Sequence, residues 1–143
     1  KLQIMEKADF LLKAKYVLTM EGDGAPLLDG AVAVRHDRIV DVGPAGQLEK
    51  IYVAGAEIDT GTSILMPGLV NTHTHAAMVY FRGLADDLPL KEWLEGHIWP
   101  AEGRWLSDEF VRDATELACA EMVLAGVTMF NDMYFFGQAS GES

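Results

Sequence analysis

The first third of the chain alternates short apolar runs with turn residues, a pattern typical of β-strands. Five runs rich in apolar and β-branched residues occupy positions 10–20, 30–34, 38–42, 57–60 and 63–66. His36 and Asp37 separate the second run from the third, which predicts a hairpin turn at these two residues. We therefore expect residues 8–66 to form a small antiparallel β unit.

The pattern changes after residue 66 to that of a strand, a helix and a second strand. The two strands are predicted at positions 69–75 and 127–133. A long connection at positions 76–106 separates the first strand from the helix. Ser107 is the expected N-cap of the helix, and Gly126 is placed to end it. This order forms a βαβ unit, whose two strands run parallel. The sequence thus predicts two domains, residues 1–66 and 67–143.

The composition is that of a chain that can bury a core, since half of its 143 residues are hydrophobic. The formal net charge of −11 argues against a nucleic-acid partner, because binding to a phosphate backbone needs a basic surface. No apolar run is long enough to predict a membrane-spanning helix. Cys119 is the single cysteine and stands in an apolar stretch, so we expect a small buried side chain without a disulfide. This cysteine usage fits the cytoplasm.

His73 and His75 stand two residues apart at the C-terminal end of the first strand of the βαβ unit. Alternate residues of a strand share a face, so the two imidazoles are expected on one face with Leu69 and Asn71. Neutral imidazole is a common zinc ligand, and two such rings can reach a single ion. Such a pair also arises on exposed strands without a function. Its position favours a metal site, because ligands bind at this end of parallel strands and a long connection follows.

Several motifs of the second half resemble one known family. They are PGLVNTHTH at residues 67–75, FRGLADDL at 81–88, WL at 93–94, WPAE at 99–102 and FNDMYF at 130–135. The first motif resembles the first barrel strand of the amidohydrolase superfamily. The others resemble the 5-methylthioadenosine/S-adenosylhomocysteine deaminase branch of that superfamily. The resemblance covers roughly residues 8–136, which is nearly the whole chain.

The resemblance implies an α/β fold. The chain would hold the first βαβ part of a (β/α)8 TIM-type barrel of metal-dependent hydrolases, preceded by the N-terminal part of a small β-sandwich. The barrel is incomplete in this chain, because a barrel of this kind takes about 250 residues. We therefore expect the chain to be a piece of a longer protein that supplies the other elements.

The implied activity is zinc-dependent hydrolytic deamination of the adenine of 5-methylthioadenosine or S-adenosylhomocysteine. One zinc ion per site would be held by His73, His75, a later histidine and a later aspartate. The general acid and base also belong to later segments, so no catalytic residue is expected within this chain. The residues leave the metal open, since iron or manganese can occupy such a site.

Two residues match positions that contact the nucleoside in this branch. Glu102 matches the glutamate that binds the ribose hydroxyls, and an ionised carboxylate can accept two hydrogen bonds from a vicinal diol. Without the resemblance, Glu102 reads as a solvated loop carboxylate. Trp93 matches a residue that lines the nucleoside pocket, and its alternative is a core residue of a short helix at residues 90–97. Met133, at the end of the second strand, is a further candidate for the pocket.

The other polar candidates carry no catalytic prediction. His36 is expected to be solvated in its turn, and His97 to be structural or exposed. Arg82 and Asp86 are candidates for an ion pair that orders the long connection.

Two other functions stay open. One is hydrolysis by another aminohydrolase or chlorohydrolase of the superfamily, acting on guanine or an s-triazine. The other is a non-catalytic protein that keeps the barrel as a scaffold. For the leading function we expect a small-molecule nucleoside as partner, with no nucleic acid and no membrane. A homo-oligomer is also expected, because exposed sheet edges favour association.

Overall fold

The computed structural model describes residues 4–22 and 24–134. The chain divides into two compact units between Pro67 and Gly68. Both units combine strands with helices, so the fold is mixed α/β. No helix in the described part of the chain has the length and apolar character that crossing a membrane requires.

The first unit is built on one five-stranded sheet with the order β3-β2-β1-β4, in which β5 also pairs with β1. Its elements are β1 (Glu6–Val17), β2 (Leu27–Arg35), β3 (Arg38–Pro44), α1 (Ala45–Ile51), β4 (Tyr52–Asp59) and β5 (Ile64–Leu65). His36 and Asp37 form the turn between β2 and β3, which confirms the predicted hairpin. His36 has a φ of 56°, a conformation that tight hairpin turns require.

The expectation of a purely antiparallel unit is wrong for two strands. β1 pairs antiparallel with β2, and β2 with β3, but β4 and β5 both run parallel to β1. Helix α1 is the reason, because it carries the chain from β3 to β4 and a parallel pair needs such a crossover. The sequence reasoning missed this helix, since seven residues give too weak a periodicity to distinguish it from a loop.

Helix α1 is held on the sheet by Leu48, which is only 3% exposed. Full burial of a leucine side chain contributes about 1.5–3 kcal/mol. The other buried members of this core cluster are Ala8, Leu11, Ala31, Ala33 and Tyr52. The small alanines on β1 and β2 leave room for the helix to approach the sheet.

The second unit contains a parallel pair of strands with helices between them. Its elements are β6 (Leu69–Thr74), a 3-10 helix (Ala76–Phe81), α2 (Leu90–Trp93), a π-helical turn (Leu94–Ile98), α3 (Trp99–Trp105), α4 (Asp108–Leu124) and β7 (Val127–Asp132). The parallel pairing of β6 with β7 confirms the predicted βαβ unit. Ser107 caps α4 as predicted, since its hydroxyl accepts a hydrogen bond from the Phe110 N–H at 3.1 Å. Gly126 follows α4 with a φ of 81°, which suits glycine.

Helix α4 packs through one face, whose residues recur at helical spacing. Val111, Ala114 and Ala118 are buried. Val111 and Ala114 form a core cluster with Ala77 of the 3-10 helix. This cluster holds the segment directly after β6 against α4, and so it fixes the end of the strand that carries the two histidines.

The connection at residues 76–106 contains more helix than the short helix predicted at residues 90–97. A helix continues from Leu90 to Trp105, past the predicted end at residue 97. Pro100 makes this helix irregular, because proline has no N–H to donate and its ring clashes with the carbonyl four residues earlier. The turn before it is π-helical, with hydrogen bonds that reach five residues back. Glu102 therefore lies on a helix.

Candidate functional site

His73 and His75 lie at the C-terminal end of β6, with their rings side by side. The ring centroids are 5.2 Å apart, and the ring planes meet at 82°. Both side chains are exposed. The strand thus presents two accessible imidazoles at one place.

One hydrogen bond determines which nitrogen of His75 is free for an ion. Nδ1 of His75 lies 2.6 Å from the backbone carbonyl oxygen of Met133, directly after β7. A carbonyl oxygen only accepts, so Nδ1 carries the proton and donates. In neutral imidazole the other nitrogen, Nε2, then has the lone pair that a metal ion needs. Metal-ligating histidines commonly use their second nitrogen in this way.

The separation of the two histidine rings fits two of the four ligands of a tetrahedral metal site. Two imidazoles on one zinc ion, at about 2.0–2.1 Å each, have ring centroids roughly 5 Å apart. The observed separation of 5.2 Å matches that value. Within residues 4–22 and 24–134, no three His, Cys, Asp or Glu side chains form a group that could hold an ion. The described residues therefore supply two nitrogen donors and not a complete ligand set.

Contacts with β7 hold the end of β6 in place. The Met133 N–H donates to the Thr74 carbonyl oxygen at 3.0 Å. The Ala76 N–H donates to Oδ1 of Asp132 at 2.9 Å, which fixes the residue that follows His75. The sequence reasoning missed the role of Asp132, and its place in the last of the quoted motifs was the available signal.

A cavity of about 310 Å³ lies beside His75, which is near the lower end of the range for ligand pockets. Its walls include His75, Trp93, Glu102, Met133 and Tyr134. The two predicted nucleoside contacts, Trp93 and Glu102, thus share one cavity with a predicted metal ligand. Met133, the further pocket candidate, lies in the same wall.

The π-helical turn keeps Glu102 on the cavity side of its helix. Leu90, Leu94, Ile98 and Glu102 follow one another at intervals of four residues, and all of them line the cavity. A regular α-helix has about 3.6 residues per turn, so steps of four would turn successive side chains away from the cavity. The wider π turn offsets this rotation. Pro100, which makes the helix irregular, therefore helps to place Glu102.

Tyr134 is the direct partner of Glu102. Its hydroxyl donates a hydrogen bond to Oε1 of Glu102 at 2.7 Å, and both side chains are half-buried. Burial above all, then the hydrogen bond to Glu102, raises the pKa of the Tyr134 hydroxyl above its usual value. The tyrosine therefore stays a protonated donor at neutral pH. Sequence reasoning missed this residue, although it stands in the FNDMYF motif, whose last residue, Phe135, lies outside the described residues.

These positions bear on the alternatives that the sequence left open. Glu102 is helical, half-buried and hydrogen-bonded, so it differs from a solvated loop carboxylate. Trp93 is half-buried in the cavity wall, so it is not a fully buried core residue. Both side chains are placed where a ligand in the cavity would touch them.

The expected ion pair between Arg82 and Asp86 is wrong, because Arg82 pairs with Glu121 of α4. Its two terminal nitrogens lie 3.1 and 2.6 Å from the two carboxylate oxygens of Glu121. This pairing raises the pKa of Arg82 and lowers the pKa of Glu121. Asp86 is closer along the chain, but folding brings α4 beside the end of the 3-10 helix.

Three other candidates have no part in the cavity. His36 is exposed, and its backbone N–H donates to Oδ2 of Asp9 at 2.6 Å. His97 is exposed on its helix, in agreement with its prediction. Cys119 is half-buried and not fully buried as expected. Its partial burial, followed by the charges of Asp132 and Glu116, raises the pKa of the thiol.

Comparisons with known proteins now identify the family. A model described as the amidohydrolase family matches residues 64–140, which is more than half of the chain. This chain belongs to the amidohydrolase family. A second model, described as an imidazolonepropionase-like composite domain of bacteria, matches residues 30–52 of this amidohydrolase.

Relatives of this amidohydrolase chain are named as deaminases. It is 52% identical over 136 residues to 5-methylthioadenosine/S-adenosylhomocysteine deaminase from Thermodesulfovibrio yellowstonii. The aligned residues are 94% of the chain and 31% of the relative. It is 49% identical over 129 residues to 5′-deoxyadenosine deaminase from Methanosarcina barkeri, and the aligned residues are 90% of the chain and 29% of the relative. A solved adenosine deaminase from Xanthomonas campestris with bound zinc matches with a TM-score of 0.91 and 42% identity, over 97% of the chain and 32% of that structure. The chain spans about a third of the length of these relatives.

Proposed function

We propose that this amidohydrolase contributes to zinc-dependent hydrolytic deamination of the adenine of 5-methylthioadenosine or S-adenosylhomocysteine. The observation that carries the proposal is the single cavity that joins His75, Trp93 and Glu102, with His73 next to it. The relatives described above support the reaction class, because their names all refer to deaminases of adenine nucleosides.

The two histidines would hold the zinc ion through one nitrogen each. When bound, zinc supplies a nucleophilic water at neutral pH by lowering its pKa to about 7. His75 is prepared for this role, since its hydrogen bond to Met133 keeps Nδ1 protonated and leaves Nε2 free. We assign no general acid or base to this chain, because those groups are expected in later segments of the parent protein.

Glu102 and Trp93 would bind the nucleoside. Glu102 would accept hydrogen bonds from the 2′- and 3′-hydroxyls of the ribose, which leaves the adenine to reach towards the histidines. Trp93 offers an aromatic surface against which the nucleoside can pack. The half-buried position of the carboxylate strengthens such hydrogen bonds, because less water competes for it.

The ribose contact distinguishes this proposal from hydrolysis of guanine or an s-triazine. Neither of those compounds has a vicinal diol, so neither satisfies the carboxylate of Glu102. A non-catalytic scaffold is also less well supported, because a scaffold does not require a histidine held in the metal-binding tautomer beside a second imidazole.

The proposal includes the placement of the chain in a longer protein. Residues 67–143 would form the first βαβ part of a (β/α)8 barrel, and residues 1–66 the N-terminal part of a small β-sandwich. The relatives support this placement, because they are about three times as long as the chain. We further propose that the parent is a cytoplasmic homo-oligomer, with the single cysteine in keeping with a reducing compartment.

The substitution Glu102→Ala in the full-length protein tests the proposed function. It should lower kcat/KM for 5-methylthioadenosine by about tenfold or more, because each hydrogen bond to a charged group contributes about 1.5–3 kcal/mol. The zinc content should not change, because Glu102 is not a proposed ligand. Steady-state kinetics and metal analysis by mass spectrometry measure the two quantities.

Glu95→Ala is the matched control for this experiment. Glu95 is an exposed carboxylate on the same helical segment, so its loss should leave the kinetics unchanged. If Glu102→Ala also has unchanged kinetics, Glu102 does not bind the substrate. If the wild-type protein turns over guanine or an s-triazine and no adenine nucleoside, the proposed substrate is wrong.

A further inference from the structure

Two consecutive residues directly after β7, Met133 and Tyr134, contact both sides of the candidate site. The Met133 carbonyl oxygen accepts the hydrogen bond from His75, a proposed metal ligand. The Tyr134 hydroxyl donates to Oε1 of Glu102, the proposed ribose ligand, at 2.7 Å. The Tyr134 ring also lies near the His75 ring, with centroids 6.5 Å apart. This dipeptide is therefore placed to set the geometry of both groups together.

The hydrogen bond between Tyr134 and Glu102 has a fixed direction. An ionised carboxylate only accepts, so the tyrosine must be the donor. A tyrosine hydroxyl has an ordinary pKa of about 10, so it keeps its proton at neutral pH. Oε1 of Glu102 thus has one filled acceptor site, while Oε2 and the second lone pair of Oε1 can accept from a ligand.

A glutamate side chain benefits from such a contact because it is flexible. A glutamate that is free to rotate loses its rotamer freedom when it binds a ligand, and this loss weakens binding. A partner that orders the carboxylate beforehand removes part of that cost. The aromatic ring of Tyr134 is itself half-buried in the cavity wall, so its hydroxyl is a well-placed anchor.

We propose that Tyr134 is a positioning residue that orients the Glu102 carboxylate for the ribose diol and thereby selects nucleosides over free bases. This inference rests on the proposed function, because it takes Glu102 as the ribose ligand. It adds a residue that acts through Glu102 and needs no contact of its own with the substrate.

The test is Tyr134→Phe in the full-length protein, a change that removes the hydroxyl and keeps the ring. KM for 5-methylthioadenosine should rise roughly ten- to hundredfold, the loss expected for a hydrogen bond to a charged group, with a much smaller change in kcat. The inhibition constant of 2′,3′-dideoxyadenosine, an adenine nucleoside without the diol, should stay at its wild-type value. Tyr80→Phe is the matched control, since Tyr80 is 47% exposed and is not part of the cavity wall.

A double-mutant cycle separates positioning from general pocket structure. In a Glu102→Ala background, Tyr134→Phe should have no further effect on KM, because the group that it orients is absent. If Tyr134→Phe does not fold, Tyr134→Met replaces it, since methionine also lacks the hydroxyl and still fills the cavity wall with apolar atoms. Tyr134→Met should raise KM for the nucleoside and leave the inhibition constant of the dideoxy analogue unchanged.

Two results would overturn the inference and leave the proposed function intact. One is an unchanged KM for 5-methylthioadenosine in Tyr134→Phe. The other is an equal loss of affinity for the ribose and the dideoxy compounds, which would mean that the hydroxyl shapes the pocket in general. A wild-type protein that deaminates no adenine nucleoside would instead refute the proposed function itself.

Discussion

The orientation of one imidazole sets a condition for metal binding at the residue scale. His75 can offer Nε2 to an ion because its Nδ1 proton is held by the Met133 carbonyl oxygen. Hydrogen-bonded partners of this kind commonly contribute ten- to hundredfold or so to metal affinity. Any change that removes the ring removes both the donor atom and this contact.

The substitution His75→Ala should therefore lower the zinc content of the full-length protein well below that of the wild type. His97→Ala is the matched control, since His97 is an exposed histidine outside the cavity, and it should keep the wild-type zinc content. Metal analysis after dialysis against a weak chelator measures both. Equal zinc contents in the two variants would contradict the assignment of His75 as a ligand.

At the scale of elements, the close approach of β6 and β7 depends on a glycine just before β6. A Cβ added at Gly68 would lie only 2.7 Å from the Cβ of Thr128, a separation that real Cβ atoms do not show. The clash is with an atom bonded directly to the β7 backbone, so the side chain cannot move away. The two strands must separate if residue 68 has a side chain.

We accordingly expect Gly68→Ala to lower the free energy of unfolding by about 1–3 kcal/mol, as overpacking commonly does. Gly103→Ala is the control, because nothing lies within 4 Å of its added Cβ and Gly103 is in α3. It should stabilise the protein by up to about 1 kcal/mol, since alanine favours helix over glycine. Urea unfolding of the full-length protein measures both changes, and a Gly68→Ala variant as stable as the wild type would contradict the strand contact.

On the scale of the whole chain, an apolar patch on the second unit favours association between chains, whereas the strong negative charge disfavours it. Val70 of β6 and Met129 of β7 are register partners, and they are 57% and 63% exposed. An isolated pair of strands with exposed apolar residues is a favourable surface for association. The net charge of −11 counteracts association by repulsion between chains.

The 143-residue chain expressed by itself should therefore associate, and more strongly as salt screens the repulsion. The double substitution Val70→Thr and Met129→Thr should reduce the association, because it removes apolar surface and preserves the strands. Sedimentation velocity at low and high salt follows both effects. Monomers at every salt concentration would show that this face does not drive association.

The βαβ unit of the second half could be predicted because each of its signals is local. Ser107 caps α4 through a residue three positions away, and Gly126 ends the helix through its own backbone conformation. The same local reasoning was wrong for the connection at residues 76–106, where it predicted a short helix at residues 90–97 and the structure has a helix from Leu90 to Trp105. The helix continues because a π turn accommodates Pro100. It was also wrong for Arg82, because the predicted partner Asp86 is near in sequence and the observed partner Glu121 is 39 residues away.

By itself, the sequence determined the family, the positions of the strands and helix in the βαβ unit, and the spacing of His73 and His75. These features depend on neighbours along the chain or on motifs. Only the tertiary structure decided the tautomer of His75, the partner of Arg82 and the contact of Tyr134 with Glu102. Those hydrogen bonds join residues 58, 39 and 32 positions apart, so they form only when packing brings the elements together. A pattern along the chain gives no measure of such distances.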